Sequence, residues 1–407
     1  MTDVLTRSVT DLWRRVPWWG QALLVFGAAR IVTTGILLVF AAAQPANAWT
    51  AASPRYADFA SIWDGRWYNI VAELGYPSEL PLTVDGHVAE NAWAFMPVYP
   101  AVVRLLMEVT GMPWAPAAVT VSVICGFASA VLVAKLFRLV LDPGTAMFAV
   151  VLYSVSPLSP ILQVAYAESM HLMLLAGALY LVMRHRYWAV LPVIAVMSFT
   201  RPSGLAFALF LALHVGYRWW RRDREPFPRR EAVAASVTAV ASGVFGLGWL
   251  LIAWAVTGSI TAYTDTELAW RSSYVGYSHL VPFSPWIQGL DWWAVHGLGL
   301  PAGFWWGFCG VVVLVAATVA LLFSPQAKRL GIDLRLWVAS YLLYLLAVFF
   351  PQSSTFRLLV PVFPLAGVLA QPRSIVYRIV VVALSLAAQV GWIFIAWQID
   401  GYDWTPP

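Results

Sequence analysis

Apolar stretches of about twenty residues recur along the chain, and they constrain its fold more than any other feature of the sequence. A helix needs about 20 apolar residues to cross roughly 30 Å of hydrocarbon, and backbone amides inside a bilayer must be hydrogen-bonded within the chain. Of the 407 residues, 61% are hydrophobic and 11% are charged, whereas about a quarter are charged in an average soluble domain. The sequence therefore predicts one all-α polytopic membrane domain over residues 1–407.

About eleven stretches have the length and composition of membrane spans. They lie at 20–43, 114–136, 144–163, 166–183, 187–200, 202–217, 232–256, 303–323, 335–350, 356–371 and 375–398. Two long segments remain between spans, a first outer loop at 44–113 and a second outer loop at 257–302, and both are rich in aromatic residues. Aromatic rings favour the membrane interface, so anchoring is the simple interpretation of these rings and a substrate groove is the functional one.

Basic residues mark one side of this arrangement. Those that follow the second, fourth, sixth, eighth and tenth spans fall on the same side as the N-terminus. The positive-inside rule makes that side cytoplasmic, so both outer loops and the C-terminal residues 400–407 are expected outside, in a multi-pass protein of the cell membrane. The net charge of +5 then reflects topology and does not indicate nucleic acid as a partner.

This topology depends on residues 97–111, which are apolar but carry Arg104 and Glu108 four residues apart. Counting them as a span would move the following basic residues outside. We interpret them instead as a helix on the outer membrane surface, with the charged pair on its water-facing side.

Four charged residues stand in apolar surroundings: Arg30, Glu168, Arg201 and Arg357. A charge near the bilayer centre costs at least about 2.5–3.5 kcal/mol, so each needs a physical reason. Arg30 lies within the first span and is interpreted as structural, pairing with a carbonyl or carboxylate inside the bundle. The other three fall at the outer ends of their spans, and Pro202 breaks the helix beside Arg201. They predict one polar pocket at the outer leaflet, with snorkelling to the interface as the alternative.

The first outer loop supplies three acidic residues that could act as a base: Asp58, Asp64 and Glu73. A carboxylate among aromatic rings at a membrane surface can have a raised pKa and become a useful base. Spacing alone does not choose among the three. For Asp64 the alternative is a capping or turn residue before Gly65.

Other chemistries fit the sequence less well. It contains no recognisable Ser/His/Asp constellation and no Gly-rich phosphate loop, and its six histidines lack metal-ligand spacing. Asp265 and Glu267 could bind a divalent cation, but no third ligand is apparent, which favours a solvated pair of loop residues. We therefore predict no metal and no cofactor.

Several segments together resemble the PIG-V-like (GPI mannosyltransferase II-type) mannosyltransferases of the GT-C class. The segments are Trp63–Tyr68, Ile70–Tyr76, Glu90–Pro100, Tyr166–Ser169 and Arg201–Leu205, with Arg30 in the first span. The resemblance runs to about residue 205, and beyond it only Phe356-Arg357 is similar. It implies a GT-C-type fold and a polyprenyl-phosphate-mannose donor used on the extracytoplasmic face. It also implies inverting transfer to a lipid-linked, glycolipid or glycan acceptor.

The chemistry of such a transfer suits these residues. In a direct displacement the acceptor hydroxyl loses a proton and the lipid phosphate leaves as an anion, so one base is needed and no acid, unlike a glycosidase. With the resemblance, Asp64 is the leading candidate for the base. Arg201 and Arg357 could bind the leaving phosphate. The further candidates for substrate binding are Trp63, Arg66, Glu90, Glu168 and His279.

Two other functions stay open at this point. One is a GT-C transferase that uses another polyprenyl-phosphate sugar, because no residue specifies mannose. The other is a lipid or sugar transporter (flippase), because buried charges and broken helices also serve translocation. No internal repeat in hydropathy is evident, and the large first outer loop favours an enzyme. The expected partners are the donor, the acceptor and membrane lipids, and the protein is expected to be a monomer.

Overall fold

The computed structural model describes residues 13, 15–303, 305–399 and 406–407. The C-terminal residues 400–405, expected to lie outside the cell, fall outside the described residues. Within the described ranges the regular structure is helical, and the β-pairing consists of one antiparallel bridge between Leu82 and Val88. The all-α class predicted from hydropathy is confirmed.

The helices are numbered here in chain order. The first ten are α1 (Trp18–Ala43), α2 (Tyr56–Phe59), α3 (Asp64–Leu74), α4 (Val98–Thr110), α5 (Trp114–Phe137), α6 (Pro143–Val155), α7 (Glu168–Met183), α8 (Tyr187–Ser198), α9 (Gly204–Trp220) and α10 (Arg229–Thr257). The others are α11 (Ala262–Ala269), α12 (Ser272–Val275), α13 (Ser284–Trp292), α14 (Trp305–Phe323), α15 (Pro325–Lys328), α16 (Gly331–Val348), α17 (Thr355–Leu358), α18 (Ala366–Leu369) and α19 (Ile375–Ala396). Short 3₁₀ helices lie at Ala92–Ala94, Ser159–Gln163 and Val360–Leu365, and a π-helix at Trp293–Gly297.

Six of the described helices are long and apolar enough to cross a membrane: α1, α5, α10, α14, α16 and α19. This fits a membrane-embedded protein with several spans. The other predicted spans correspond to shorter helices, and α8 and α7 have only 12 and 16 residues. At 1.5 Å per residue they are about 18 and 24 Å long, less than the roughly 30 Å of hydrocarbon. The count of eleven spans stays a prediction.

Two predicted spans are not continuous helices. The stretch 144–163 contains α6 only as far as Val155, and a 3₁₀ helix follows after a break. The stretch 356–371 is divided into α17, a 3₁₀ helix and α18. Prolines at 157 and 160 and at 361 and 364 explain both breaks, since proline removes a backbone donor and clashes with the preceding turn. Hydropathy does not detect this because the segments stay apolar.

The break after α6 accounts for Arg30. Its guanidinium donates hydrogen bonds to the backbone carbonyls of Ser154 and Ser159 and to the Ser159 hydroxyl. Gln389 of α19 donates to the same hydroxyl and to the carbonyl of Val155. Carbonyls that lose their helical partners at a break need donors, so the expected structural role of Arg30, pairing with carbonyls, is confirmed.

Residues 98–110 form α4, whose 13 residues span about 20 Å. Arg104 and Glu108 form an ion pair of 2.9 Å with both side chains more than half exposed. The inner face of α4 is tied to α5, where the Tyr99 hydroxyl donates to the carbonyl of Ala118 at 3.0 Å. A short helix with an exposed charged face fits the predicted surface helix.

The second outer loop packs against the first. The Asn91 side-chain amide donates to the Thr266 hydroxyl of α11 at 2.8 Å. The rings of Trp67 in α3 and Trp270 at the end of α11 meet edge to face with centroids 5.6 Å apart. These contacts fix α11 beside α3, although nearly two hundred residues separate them.

Candidate functional site

A charge cluster lies where the first outer loop meets three helix ends. It consists of Asp64, Glu168, Arg201 and Arg357. Arg357 binds the Asp64 carboxylate directly through Nη1 and places Nε 3.7 Å from Glu168 Oε1. Arg201 places Nη2 3.2 Å from Glu168 Oε1 and Nη1 3.9 Å from Asp64 Oδ2. The convergence of Glu168, Arg201 and Arg357 expected from the sequence is therefore present, and Asp64 joins them.

Asp64 is the first residue of α3, and Trp63 before it has φ of +58° and ψ of −121°. A bulky residue with positive φ is a rare, strained conformation that persists only where surrounding contacts impose it. Trp63 is buried, and its indole N–H donates to the carbonyl of Ala396 at 2.9 Å. Strain of this kind recurs at functional sites, and here it sets the direction in which α3 presents Asp64.

Gly65 allows a close approach that also positions Asp64. A β-carbon at Gly65 would lie 3.3 Å from both the β-carbon and the carbonyl oxygen of Ala165. The same contact brings the Tyr166 hydroxyl to 3.3 Å from the backbone N–H of Asp64. Trp63, and not Asp64, occupies the N-cap position of α3, and the Asp64 carboxylate is engaged by Arg357, which argues against the capping interpretation.

The other three members of the cluster sit at helix ends. Glu168 is the first residue of α7, as Asp64 is of α3, and a helix N-terminus favours a carboxylate. Arg201 lies in the turn between α8 and α9, where the chain breaks as Pro202 predicted. Arg357 belongs to α17 in the broken segment. Helix ends and breaks thus bring the four charged side chains together inside the protein.

The cluster is shielded from solvent but incompletely bonded. The side chains of Glu168, Arg357, Asp64 and Arg201 are 5%, 10%, 12% and 15% exposed. Among the described residues, both Glu168 carboxylate oxygens and the Arg357 Nε lack a hydrogen bond of normal geometry. The 3.2 Å contact of Arg201 with Glu168 is thus an ionic contact at an unfavourable angle. Because buried charges are costly unless fully bonded, the Arg357 guanidinium retains a donor for an additional anion, and the Glu168 carboxylate retains acceptors for a further donor.

Of the three acids considered for the base, only Asp64 belongs to the cluster. Asp58 and Glu73 are both exposed, Glu73 near the far end of α3. The structure thus distinguishes Asp64 from the other two acids by its position, which sequence spacing did not.

The remaining predicted substrate-binding residues lie elsewhere. Trp63 is in the core, where its ring packs on Trp49 with centroids 5.1 Å apart. Arg66 is exposed over the ring of Trp49, on the side of α3 opposite Asp64, and borders a cavity of about 170 Å³. Glu90 and His279 are exposed in the two outer loops, and no ion pair of the described residues joins them to the cluster. Partial enclosure by protein nevertheless raises the pKa of the Glu90 carboxyl.

Three residues near the cluster were not selected from the sequence. Arg201 Nη1 donates to the Tyr68 hydroxyl at 3.5 Å, and the Arg357 guanidinium lies 5.2 Å from the ring centre of Tyr166. Tyr68 could have been found, because it stands one helical turn after Asp64. The third residue is Glu267 of α11, which interacts electrostatically with Arg201, Asp64 and Arg357. Within the described part of the chain, no group of three or more His, Cys, Asp or Glu side chains could hold a metal ion.

The fold and the charge cluster define an all-helical, membrane-embedded protein with two carboxylates and two guanidiniums gathered at helix ends. No family model matches the chain, and no curated protein has significant similarity to it.

Proposed function

We propose that the protein transfers mannose from a polyprenyl-phosphate-mannose donor to a lipid-linked or glycolipid acceptor on the extracytoplasmic face, with inversion at the sugar. The observation that carries the proposal is the contact of Asp64 with Arg357 and Arg201, which gathers a candidate base and two candidate phosphate ligands at one point. The donor class comes from the sequence resemblance to the PIG-V-like GT-C mannosyltransferases.

The cluster can supply both requirements of a direct displacement. The acceptor oxygen forms a bond to C1 of the sugar while the bond from C1 to the phosphate oxygen breaks, and its electron pair leaves with the polyprenyl phosphate. Two guanidiniums can stabilise that anion in a poorly solvated site. Asp64 can take the hydroxyl proton once the donor phosphate competes for its arginine partner.

Helix lengths support access from the membrane. If Arg184 and Arg186 mark the cytoplasmic ends of α7 and α8, these helices of about 24 and 18 Å end about 6–12 Å below the outer edge of the hydrocarbon. The cluster at their other ends would then lie below the headgroups of the outer leaflet, where a polyprenyl-linked donor could reach it from the membrane.

The test is Asp64→Asn in purified protein supplied with radiolabelled polyprenyl-phosphate-mannose and membrane lipids. We expect the turnover number to fall about 10²- to 10⁴-fold, the usual contribution of a positioned base, while donor binding persists. Glu73→Gln is the matched control, because it removes an exposed carboxyl from the same helix and should leave turnover unchanged.

Three outcomes would contradict the proposal in different ways. Near-normal turnover of Asp64→Asn would reject Asp64 as the base. Faster transfer from a polyprenyl-phosphate carrying another sugar would point to a different GT-C transferase. Movement of intact labelled lipid across vesicles without transfer would identify a flippase instead.

A further inference from the structure

A polar cavity of about 610 Å³ lies where the ends of several helices meet. Its walls are formed by the turn after α5, the start of α6, the residue after α15 and the turn between α18 and α19. No member of the charge cluster lines it. Pockets that hold small ligands usually measure about 300–1,000 Å³, so this cavity is large enough for one.

Two arginines line the cavity, Arg329 and Arg373, and both are exposed to solvent. Neither takes part in an ion pair formed by the described residues. The carboxylate in the cavity wall, that of Asp142, accepts a hydrogen bond from the backbone N–H of Thr145 at 3.1 Å and so caps α6. The wall therefore carries a net positive charge, and its guanidiniums retain donors for an anion.

Arg329 is positioned by a fixed glutamine. Its Nη1 donates to the side-chain oxygen of Gln371 at 3.4 Å. The amide nitrogen of Gln371 donates to the carbonyls of Gln326 at 2.7 Å and Gly367 at 3.2 Å. Because these bonds hold Gln371 in place, one edge of the Arg329 guanidinium is anchored and the other donors stay available.

The turn that carries Arg373 is held in a similar way. The Tyr377 hydroxyl donates to the carbonyl of Leu369 at 2.8 Å, and Arg378 donates through Nε to the carbonyl of Pro372 at 3.1 Å. Both donors belong to the first turn of α19 and both carbonyls precede Arg373. The two arginines of the cavity are thus placed by hydrogen bonds of their neighbours.

The cavity adjoins a surface suited to lipid chains. Arg373 lies two residues before α19, which is long and apolar enough to cross a membrane. Near the start of that helix, Ile375, Val376 and Ile379 are 68%, 66% and 62% exposed. Apolar side chains exposed on a spanning helix face acyl chains. A cationic cavity and a lipid-facing surface are therefore neighbours.

We propose that this cavity binds the phosphate headgroup of an anionic membrane lipid, on the side that the positive-inside rule makes cytoplasmic. Arginine and phosphate form strong, often bidentate hydrogen bonds. Basic pockets between membrane helices on the cytoplasmic side bind the headgroups of anionic lipids. A lipid uses both features, because its phosphate meets Arg329 and Arg373 while its acyl chains lie along α19. A free phosphate would use the arginines alone. The proposal does not depend on the transferase function.

The experiment titrates the purified full-length protein in detergent with phosphatidylglycerol and measures the retained lipid by native mass spectrometry. Arg329→Gln combined with Arg373→Gln should weaken binding at least about tenfold, because charge-assisted hydrogen bonds are lost. Arg184→Gln combined with Arg224→Gln is the matched control. It removes the same charge from exposed arginines that the positive-inside rule puts on the same side and that do not line the cavity. This control should bind the lipid as the wild type does.

A second variant separates a shaped site from general attraction. Arg329→Lys combined with Arg373→Lys keeps the charge but loses the planar contact with phosphate, so it should still weaken binding severalfold. Wild-type affinity in this variant, or equal losses in the glutamine variant and its control, would overturn the proposal in favour of attraction by charge alone. Equal retention of phosphatidylcholine, which has no net charge, would also overturn it. Displacement of the lipid by an equal concentration of glycerol phosphate would show that the cavity takes a free phosphate and not a lipid.

Discussion

The Arg357 side chain touches both carboxylates of the charge cluster, and a donor phosphate would need the same guanidinium. Its Nη1 binds Asp64 while its Nε lies 3.7 Å from Glu168. In the proposed reaction the phosphate displaces Asp64 from Arg357, so donor binding itself releases the base. Glu168 then holds the arginine in place, because it contacts Arg201 as well. This gives the two acids different roles although they share the same partners.

Arg357→Lys tests this arrangement at the residue scale. Lysine keeps the charge but is a point charge that cannot contact two partners in a fixed plane. A hydrogen bond to a charged group contributes about 1.5–3 kcal/mol, and about 1.4 kcal/mol corresponds to a tenfold change in binding. We therefore expect the KM for the donor to rise about ten- to hundredfold, measured at saturating acceptor.

Arg104→Lys is the matched control for this prediction. Arg104 is an exposed arginine of α4 paired with Glu108, outside the charge cluster. The Arg104→Lys substitution should leave the KM for the donor unchanged. An unchanged donor KM in Arg357→Lys, with only turnover reduced, would argue that Arg357 orients Asp64 and does not bind phosphate.

At the scale of elements, the position of Arg201 depends on how closely α9 and α10 pack. A β-carbon at Gly204 would lie 2.5 Å from the Ser198 hydroxyl oxygen and 2.7 Å from the α-carbon of Gly246. The Ser242 hydroxyl donates to the Gly204 carbonyl at 2.9 Å across the same contact. Two glycines thus let the backbones touch and fix the turn that carries Arg201.

Gly204→Ala should therefore damage both stability and activity. The added methyl group meets backbone that cannot move aside, and overpacking of this kind costs about 1–3 kcal/mol. We expect a lower Tm in detergent and a loss of transfer, since the turn with Arg201 must shift. Gly216→Ala in the same helix has nothing within 4 Å of the new atom and should be neutral or slightly stabilising. Equal Tm values for the two variants would contradict this account.

Long apolar helices could be predicted from sequence, and broken ones could not. The expected spans at 20–43, 114–136 and 232–256 agree with α1, α5 and α10 to within three residues. Their hydropathy is continuous and their ends are marked by proline, glycine or charge. The breaks near 156–158 and 359–365 depend on which carbonyls find other donors, as Arg30 and Gln389 show. That information is tertiary and is absent from a hydropathy pattern.

In the candidate site, too, some features could be predicted from sequence and others depend on tertiary structure. Arg201, Arg357 and Glu168 were recognisable because charges in apolar segments need a reason. Trp63 was selected as a substrate-binding ring, yet it is buried in the core. The contact of Trp67 with Trp270, which holds the second outer loop against α3, was not predicted either. A contact between residues about two hundred positions apart produces no pattern in the local sequence.

At the scale of the whole molecule, the cluster and the basic loops lie at opposite ends of the same helices. Glu168 begins α7, and Arg184 follows its last residue. Arg201 follows α8, and Arg186 precedes it. The positive-inside rule applied to these arginines would put the cluster on the extracytoplasmic side, where a polyprenyl-phosphate donor is used in the proposed reaction.

Cysteine labelling with a membrane-impermeant maleimide in intact cells tests that topology. All labelling variants carry Cys309→Ala, because Cys309 is an exposed native cysteine. In this background, Asp85→Cys reports on the first outer loop and Thr110→Cys on the end of α4. Both positions are exposed and should label without permeabilisation. Asp223→Cys, exposed in the arginine-rich loop after α9, should label only after permeabilisation. Because α4 carries the exposed Arg104–Glu108 ion pair on one face, we expect it to lie on the membrane surface, so the chain should not change sides between residues 85 and 110. Labelling of Asp85→Cys together with protection of Thr110→Cys would show that α4 crosses the membrane, and the sidedness of every later helix would then reverse.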